Sequence, residues 1–339
     1  MRTIFWKDGV VLIDQSKLPE KLELITCKHV VELLDAIKRL AVRGAPALEV
    51  AGAYGVVLAC IEKEFTRVDE MKSHLIKTFD LIVSTRPTAV NLSIGAKRAL
   101  DAALKGGSID EIIRLALQEA EKIAREDIDR NRKIGEYGSK ILEDGDTVLT
   151  YCNAGRLATV DWGTALGVVR SAVNEGKKIR VIACETRPLN QGSRLTCWEL
   201  IQDGIDVTLI TDSTAAHVMK QGMVDKVIVG ADRIVRDSVF NKIGTYMISI
   251  VAKEHGIPFY VAAPKTTFDW KKTSKEVIIE ERSAEELVYC GEKLLAPKNV
   301  NVYNPAFDST PLDNVTAIIT EHGIIEPPYD VNVPKVLRI

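Results

Sequence analysis

The sequence predicts an α/β fold in two parts: a mostly helical N-terminal domain with a small antiparallel sheet, then a domain built on a mostly parallel, doubly wound sheet. Three observations predict it. From Val30 to Arg130 apolar residues recur at helical spacing. After Asp144-Gly145-Asp146 short apolar runs alternate with capped helical segments. The 339 residues exceed what one hydrophobic core ordinarily serves.

Residues 1 to about 30 read as short strands, Val10-Val11-Leu12-Ile13 being the clearest. Val31, Leu33, Leu34, Ile37 and Leu40 then set a helical period, as do Ile112, Ile113, Leu115, Leu117 and Ala120. The charged helix from Glu119 to Arg132 carries the chain across a boundary placed between residues 1–130 and 131–339. Beyond it, Thr147 to Tyr151 reads as a buried strand and Leu157 to Val173 as a helix ending at Gly176. Ile179 to Ala183 is a strand, and Leu195 to Gln202 a helix closed by Gly204. Val207 to Ile210 precedes the helix Ala215 to Lys220. Lys226 to Val229 precedes a helix from Asn241 to Glu254, and Phe259 to Ala262 is a further strand.

Composition narrows the function classes. Lys and Arg number 45 against 47 Asp and Glu, a net charge of −2, which argues against a nucleic-acid-coating protein. The N-terminal residues Met1 to Gly9 contain no apolar signal core and read as folded structure. Charges interrupt every apolar window before a membrane-spanning length, so no membrane partner is expected. Cysteines at 27, 60, 152, 184, 197 and 290 form no CxxC pair, and the five histidines have no metal-ligand spacing. Neither a metal nor a disulfide framework is expected, and a reducing cytoplasm fits.

In a doubly wound sheet, ligands bind beyond the carboxyl ends of the strands. Those ends are polar here. They carry Cys152-Asn153-Ala154-Gly155, Glu185-Thr186-Arg187-Pro188 with Gln191-Gly192, Thr211-Asp212-Ser213, Gly230-Ala231-Asp232-Arg233 and Pro264-Lys265. One crevice is expected. No GxGxxG or GxxxxGK[ST] loop is present, so no nucleotide cofactor is expected. In the first domain, Arg43-Gly44-Ala45-Pro46 marks a turn between helices whose arginine and backbone N–H groups suit a phosphate. Arg86-Pro87 reads as a helix start with an arginine just ahead, which suits the same ligand. With both domains contributing, substrate is expected in the cleft between them.

Each candidate also has a plainer role. Cys152 alone resembles a small buried hydrophobe, but a strand end before a helix N-terminus lowers a thiol pKa. Asp232 can serve as a turn cap, although its apolar approach, Val227 to Ala231, favours a desolvated carboxyl able to act as an acid. Asn241-Lys242 can be an N-cap with a solvated lysine, and Cys60, Cys184, Cys197 and Cys290 read as core.

Taken together, these blocks resemble the methylthioribose-1-phosphate isomerase family. They are Arg43 to Pro46, Thr85 to Leu92, Thr150 to Gly155, Glu185 to Pro188, Gln191-Gly192, Gly230 to Arg233, Asn241 to Thr245 and Asn304 to Asp308, in order along the chain. The superfamily also contains ribose-1,5-bisphosphate isomerases and the alpha, beta and delta regulatory subunits of translation initiation factor 2B. The resemblance implies a Rossmann-like C-terminal domain and a homodimer. It also implies conversion of 5-methylthioribose 1-phosphate to 5-methylthioribulose 1-phosphate in methionine salvage, without a cofactor. Cys152 and Asp232 would be catalytic; Arg43, Gly44, Ala45, Arg86, Gln191, Asn241 and Lys242 would bind substrate. Two positions depart from the pattern: Val235 to Ser238 replaces a usual Asn-Gly-Asp, and Cys197 stands where alanine is common. Retention of both Cys152 and Asp232 argues against a purely regulatory subunit. A bisphosphate substrate would call for a second cationic cluster, which the sequence does not display.

Overall fold

In the computed structural model, which describes residues 1–87 and 89–339, the N-terminal runs form three antiparallel strands. These are β1 (Ile4–Trp6), β2 (Val10–Ile13) and β3 (Leu24–Cys27). Five helices follow: α1 (Val30–Lys38), α2 (Ala45–Ile61), α3 (Val68–Thr85), α4 (Val90–Ala103) and α5 (Ile109–Gly138). Helix α2 is the axis of this part. Every residue from Ala47 to Cys60 is buried, as befits a helix that is apolar all round. Gly95 lets α4 meet α2 backbone to backbone, because a Cβ there would lie 1.8 Å from the Glu49 carbonyl oxygen.

Two compact units result, Met1–Asn131 with Gly155–Gly163, and Arg132–Ala154 with Thr164–Ile339. The short return Gly155–Gly163 is what a single boundary along the chain misses. Its backbone is bound within the first unit: Gln15 Nε2 donates to Leu157 O at 2.6 Å, and Thr3 N to Val160 O at 2.9 Å. The Val160 N–H donates to the buried Asp127 carboxylate at 2.8 Å. The helix predicted from Leu157 to Val173 is therefore shorter. A 3-10 turn covers Arg156–Ala158, and α6 begins only at Ala165 and ends at Asn174.

In the second unit the chain forms β4 (Thr147–Thr150), α6, β5 (Arg180–Cys184), α7 (Cys197–Gln202), β6 (Asp206–Ile210), α8 (Ala215–Lys220) and β7 (Lys226–Val229). A hairpin of β8 (Arg233–Ile234) and β9 (Ser238–Lys242) follows, then α9 (Thr245–Glu254) and β10 (Phe259–Ala262). The remainder comprises α10 (Glu285–Val288), β11 (Tyr289–Cys290), β12 (Lys293–Leu294), β13 (Phe307–Pro311), β14 (Ala317–Thr320), β15 (Gly323–Ile325) and α11 (Tyr329–Leu337). The main sheet has the order β15-β14-β10-β7-β4-β5-β6 and is parallel except for β15. A second sheet, β13-β9-β8, is antiparallel.

Three further expectations are corrected. Asn241 and Lys242 lie in β9, paired with Asp308 and Phe307 of β13, and not at a helix start; α9 begins at Thr245 behind Gly244, whose φ is 105°. Arg86 is the C-cap of α3, and α4 starts at Val90, so Pro87 sits in the link rather than at a first helical position. Thr88 of that motif lies outside the described residues. Cys290 is exposed on β11, and Cys197 is only half-buried. Among the described residues no helix is long and apolar enough to cross a membrane.

Burial pushes the Asp127 carboxyl up to about 7, against the opposing pull of Arg130 and its hydrogen bonds. A carboxyl whose folded pKa lies above its ordinary value of 3.8 adds stability that is full below that value and is lost as pH rises through about 7. Urea unfolding should show the wild type losing stability relative to Asp127→Asn between pH 4 and pH 7. A constant difference across that window would show that Asp127 ionises at no cost.

Candidate functional site

The topology sets the stage for the site. From β4 the chain builds β5 and β6 on one side, then crosses to build β7, β10 and β14 on the other, so the order reverses between β4 and β7. At such a switch point the connections leave in opposite directions and open a crevice at the carboxyl ends. Cys152 stands two residues beyond β4 and Asp232 three beyond β7. Neighbouring strands run about 4.8 Å apart, and Thr150 Oγ1 donates across this pair to Ile228 O at 2.8 Å. The two loops then touch: a Cβ on Gly230 would lie 2.6 Å from the Ala154 Cβ. The structure thus brings the Cys152 and Asp232 loops together.

Cys152 is half-buried and has a φ of 62°, a left-handed conformation that side-chain-bearing residues seldom adopt. Its N–H donates to Thr186 Oγ1 at 2.9 Å, and its carbonyl accepts Thr196 Oγ1–H at 2.7 Å. Next in the chain, Asn153 Nδ2 donates to the fully buried Glu199 carboxylate at 2.6 Å and to Thr196 Oγ1 at 3.2 Å. Arg170 bridges Glu199 and Asp203, donating to Asp203 Oδ2 at 2.6 Å. Thr196 ends a π-helical turn, Gly192–Thr196, that leads into α7. Burial pushes the Cys27 and Cys60 thiols up to about 11 and 12, and those of Cys184 and Cys197 upward as well. These four are poor nucleophiles or bases.

Asp232 donates its backbone N–H to Phe240 O at 2.9 Å, which carries the β8–β9 ladder one step further and sets Asp232 beside the Phe240-Asn241 edge. Its side chain is exposed in the single chain, so the desolvation expected of an acid requires something bound over it. The departure at Val235 to Ser238 is the hairpin turn: Val235 N donates to Ser238 O at 2.9 Å. Asp237 accepts the Ser274 N–H and hydroxyl at 2.8 and 2.7 Å.

Asn241 and Lys242 are both buried, contrary to the solvated lysine of the plainer reading. Asn241 Nδ2 donates to Thr245 Oγ1 at 3.0 Å. Lys242 Nζ donates to Ala306 O at 3.1 Å and lies 4.9 Å over the Phe307 ring. An ammonium has three N–H donors, and one carbonyl uses one of them. Burial pushes the neighbouring Asp308 up to about 6, although it accepts the Gly244 N–H at 2.7 Å and that of Tyr246 at 3.1 Å.

Gln191 is buried, and its Oε1 has no hydrogen-bond partner among the described residues. A buried acceptor left open is expensive, and a ligand hydroxyl would satisfy it. Gly192 must be glycine: a Cβ there would lie 1.7 Å from Cys184 O. Lys265 Nζ donates to Leu337 O at 2.6 Å, at the end of α11. In the first unit, Gly44 is the N-cap of α2 with a φ of 94°, Ala45 is its first residue, and Arg43 directly precedes them. A Cβ at Gly44 would lie 2.4 Å from Ala158 O. Arg86 is half-buried at the end of α3. Among the described residues no three His, Cys, Asp or Glu side chains converge as metal ligands.

Sequence reasoning named Thr186 only as part of a strand-exit block and did not single out Thr186, Thr196 or Glu199 as parts of the site. Their role depends on backbone dihedrals and on contacts 34 to 46 residues apart, for which no local pattern exists.

The profile of the initiation factor 2 subunit family matches residues 41–327. The chain belongs to that family. The matched stretch contains every candidate residue from Arg43 to Lys242. The methylthioribose-1-phosphate isomerase of Thermosipho africanus is 51% identical over 339 residues, covering 99% of this chain and 98% of its own. The crystal structure of 5-methylthioribose 1-phosphate isomerase from Pyrococcus horikoshii is 43% identical, with a TM-score of 0.94 over 99% of this chain and 96% of that one. A crystal structure from Archaeoglobus fulgidus described as the delta subunit of translation initiation factor eIF-2B is 73% identical, with a TM-score of 0.93 over the whole of both chains. Family members of this architecture therefore carry two kinds of name.

The Glu199–Arg170 pair supports the Cys152 turn of this family member from below. Glu199→Ala leaves Arg170 and Asn153 short of a buried partner and should cost about 3–5 kcal/mol in urea unfolding. A loss below about 1 kcal/mol would mean that water or a rearranged neighbour replaces the carboxylate.

Proposed function

We propose that the chain is an aldose–ketose isomerase converting 5-methylthioribose 1-phosphate to 5-methylthioribulose 1-phosphate. The observation that carries this reading is a half-buried thiol and a carboxyl on adjoining loops at the sheet's switch point. They occur in a chain that resembles isomerases of that name over nearly its whole length.

The substrate's anomeric oxygen carries phosphate, so its furanose ring cannot open as a free sugar does. Asp232 donates a proton to the ring oxygen as the C1–O bond breaks. The Cys152 thiolate removes the proton from C2, giving an enol bonded through C1 to the phosphate oxygen. Cys152 returns that proton to C1, and the Asp232 carboxylate accepts the proton of the C2 hydroxyl as the ketone forms. The carboxyl and thiolate are both restored, and no cofactor is consumed. Substrate lying over the exposed Asp232 supplies the desolvation that its acid role needs. Arg43, the Gly44 and Ala45 backbone at the start of α2, Arg86 and Lys242 are assigned to the phosphate. Gln191 Oε1 and Asn241 are assigned to sugar hydroxyls.

The name carried by the Archaeoglobus fulgidus structure favours a second reading, a regulatory subunit. Turnover separates the two. Purified protein should isomerise 5-methylthioribose 1-phosphate and act far less on ribose 1,5-bisphosphate. Cys152→Ser and Asp232→Asn should each lower kcat by about 10²-fold or more with KM little changed, whereas Arg86→Ala should raise KM. No turnover on either sugar, together with tight binding to an initiation-factor subunit, would replace the isomerase by the regulatory reading.

The chain is further assigned to a homodimer. Tyr246, Met247 and Ile250 stand exposed along one face of α9, an apolar stripe that a second copy would cover. Light scattering should give twice the monomer mass, and Met247→Glu with Ile250→Glu should halve it. A monomeric wild type would remove the dimer.

A further inference from the structure

We infer that Thr186, together with Thr196, is the positioning residue that aims the Cys152 thiol; this rests on the isomerase reading of Cys152. Two neighbouring parallel strands, β4 and β5, each exit through a left-handed residue that is not glycine: Cys152 at φ 62° and Thr186 at φ 66°. For a β-branched side chain this conformation is an outlier, and it persists only where the surroundings over-determine it. Thr186 is fully buried and tied on every side. Its N–H donates to Asp212 Oδ1 at 2.7 Å, and its carbonyl accepts the Asn190 N–H at 2.8 Å. Its hydroxyl donates to Cys184 O at 3.1 Å, which leaves the oxygen lone pairs directed at the Cys152 N–H, 2.9 Å away.

A turn that needs positive φ ordinarily takes glycine or asparagine. Glycine at 186 would relieve the strain but leave the Cys152 N–H without its acceptor. The hydroxyl is what the position keeps. Thr196 does the matching task on the other side, donating to the Cys152 carbonyl at 2.7 Å. The peptide groups before and after the Cys152 Cα are thus held by two threonine hydroxyls. That grip fixes φ at 62° and with it the direction of the Cα–Cβ bond. Without it the residue relaxes toward negative φ, and Sγ swings away from the substrate carbon. Neither threonine is assigned a substrate contact, so the loss falls on the chemical step and not on binding.

The test uses the full-length enzyme and 5-methylthioribose 1-phosphate. Thr186→Val removes the hydroxyl at nearly constant shape, and Thr186→Ser keeps it. The valine variant should lose about 10–100-fold in kcat with KM changed less than about threefold. The serine variant should keep at least about half of wild-type kcat. Thr196→Val should repeat the valine pattern, and it carries the test should Thr186→Val fail to fold. A purely structural Thr186 would lower the melting temperature while leaving kcat per folded site intact, and that result overturns the inference. So does a serine variant as impaired as the valine one. Near-normal turnover in Cys152→Ser would instead remove the isomerase mechanism itself. An inactive Cys152→Ser beside a fully active Thr186→Val would remove only the positioning role.

Discussion

The second unit is organised around a single strained peptide. Cys152 leaves strand β4 in a left-handed conformation, and hydrogen bonds to both flanking peptide groups hold it there. A backbone of this kind costs of order 1–3 kcal/mol, and the surrounding structure must offset it. The support is layered. Thr186 and Thr196 grip the turn, Glu199 holds Asn153, and Arg170 ties Glu199 on α7 to Asp203, the residue that follows the helix. Each layer is buried, so each is worth more than it would be at the surface.

The first unit meets a comparable constraint with different means. Its helices α2 and α4 approach closely at Gly52 and Gly95, which leaves Glu49 buried between Arg98 and Arg130. Burial raises the Glu49 carboxyl while the two guanidinium groups lower it. A buried carboxylate so flanked is strongly unfavourable to orphan and only modestly stabilising when paired. Asp127 on the adjoining helix takes a different partner, the Val160 backbone N–H. That bond fixes the return Gly155–Gly163, the segment that begins three residues after Cys152.

Much of the architecture was legible in the chain. The strands at 147–150, 226–229 and 259–262 and the helix 215–220 follow from short apolar runs and their glycine or polar punctuation, which are local signals. Cys152 and Asp232 were visible as polar residues at strand exits, and the chain-wide resemblance implied a shared chemistry for them. Three of the errors share one cause. The helix expected from Leu157, the helix start expected at Asn241 and the solvated Lys242 were local readings. They were overridden by hydrogen bonds to distant partners: Asp127 and Gln15 for the first, β13 for the others. Local propensity yields wherever a long-range ladder or a buried carboxylate takes the backbone groups.

By itself, then, the sequence determined the alternation of elements, the place of Cys152 and Asp232 at strand exits, and the family to which the chain belongs. Periodicity, capping and motif order are written along the chain and survive without coordinates. Tertiary structure alone decided which strands are neighbours and hence that the β4 and β7 exits adjoin. It also decided that Thr186 and Thr196 hold the Cys152 peptide and that Gln191 is buried, its Oε1 without a partner among the described residues. Those facts depend on dihedral angles and on contacts between residues tens of positions apart. The free energy of such contacts arises only when folding brings the partners together, so no local pattern announces them.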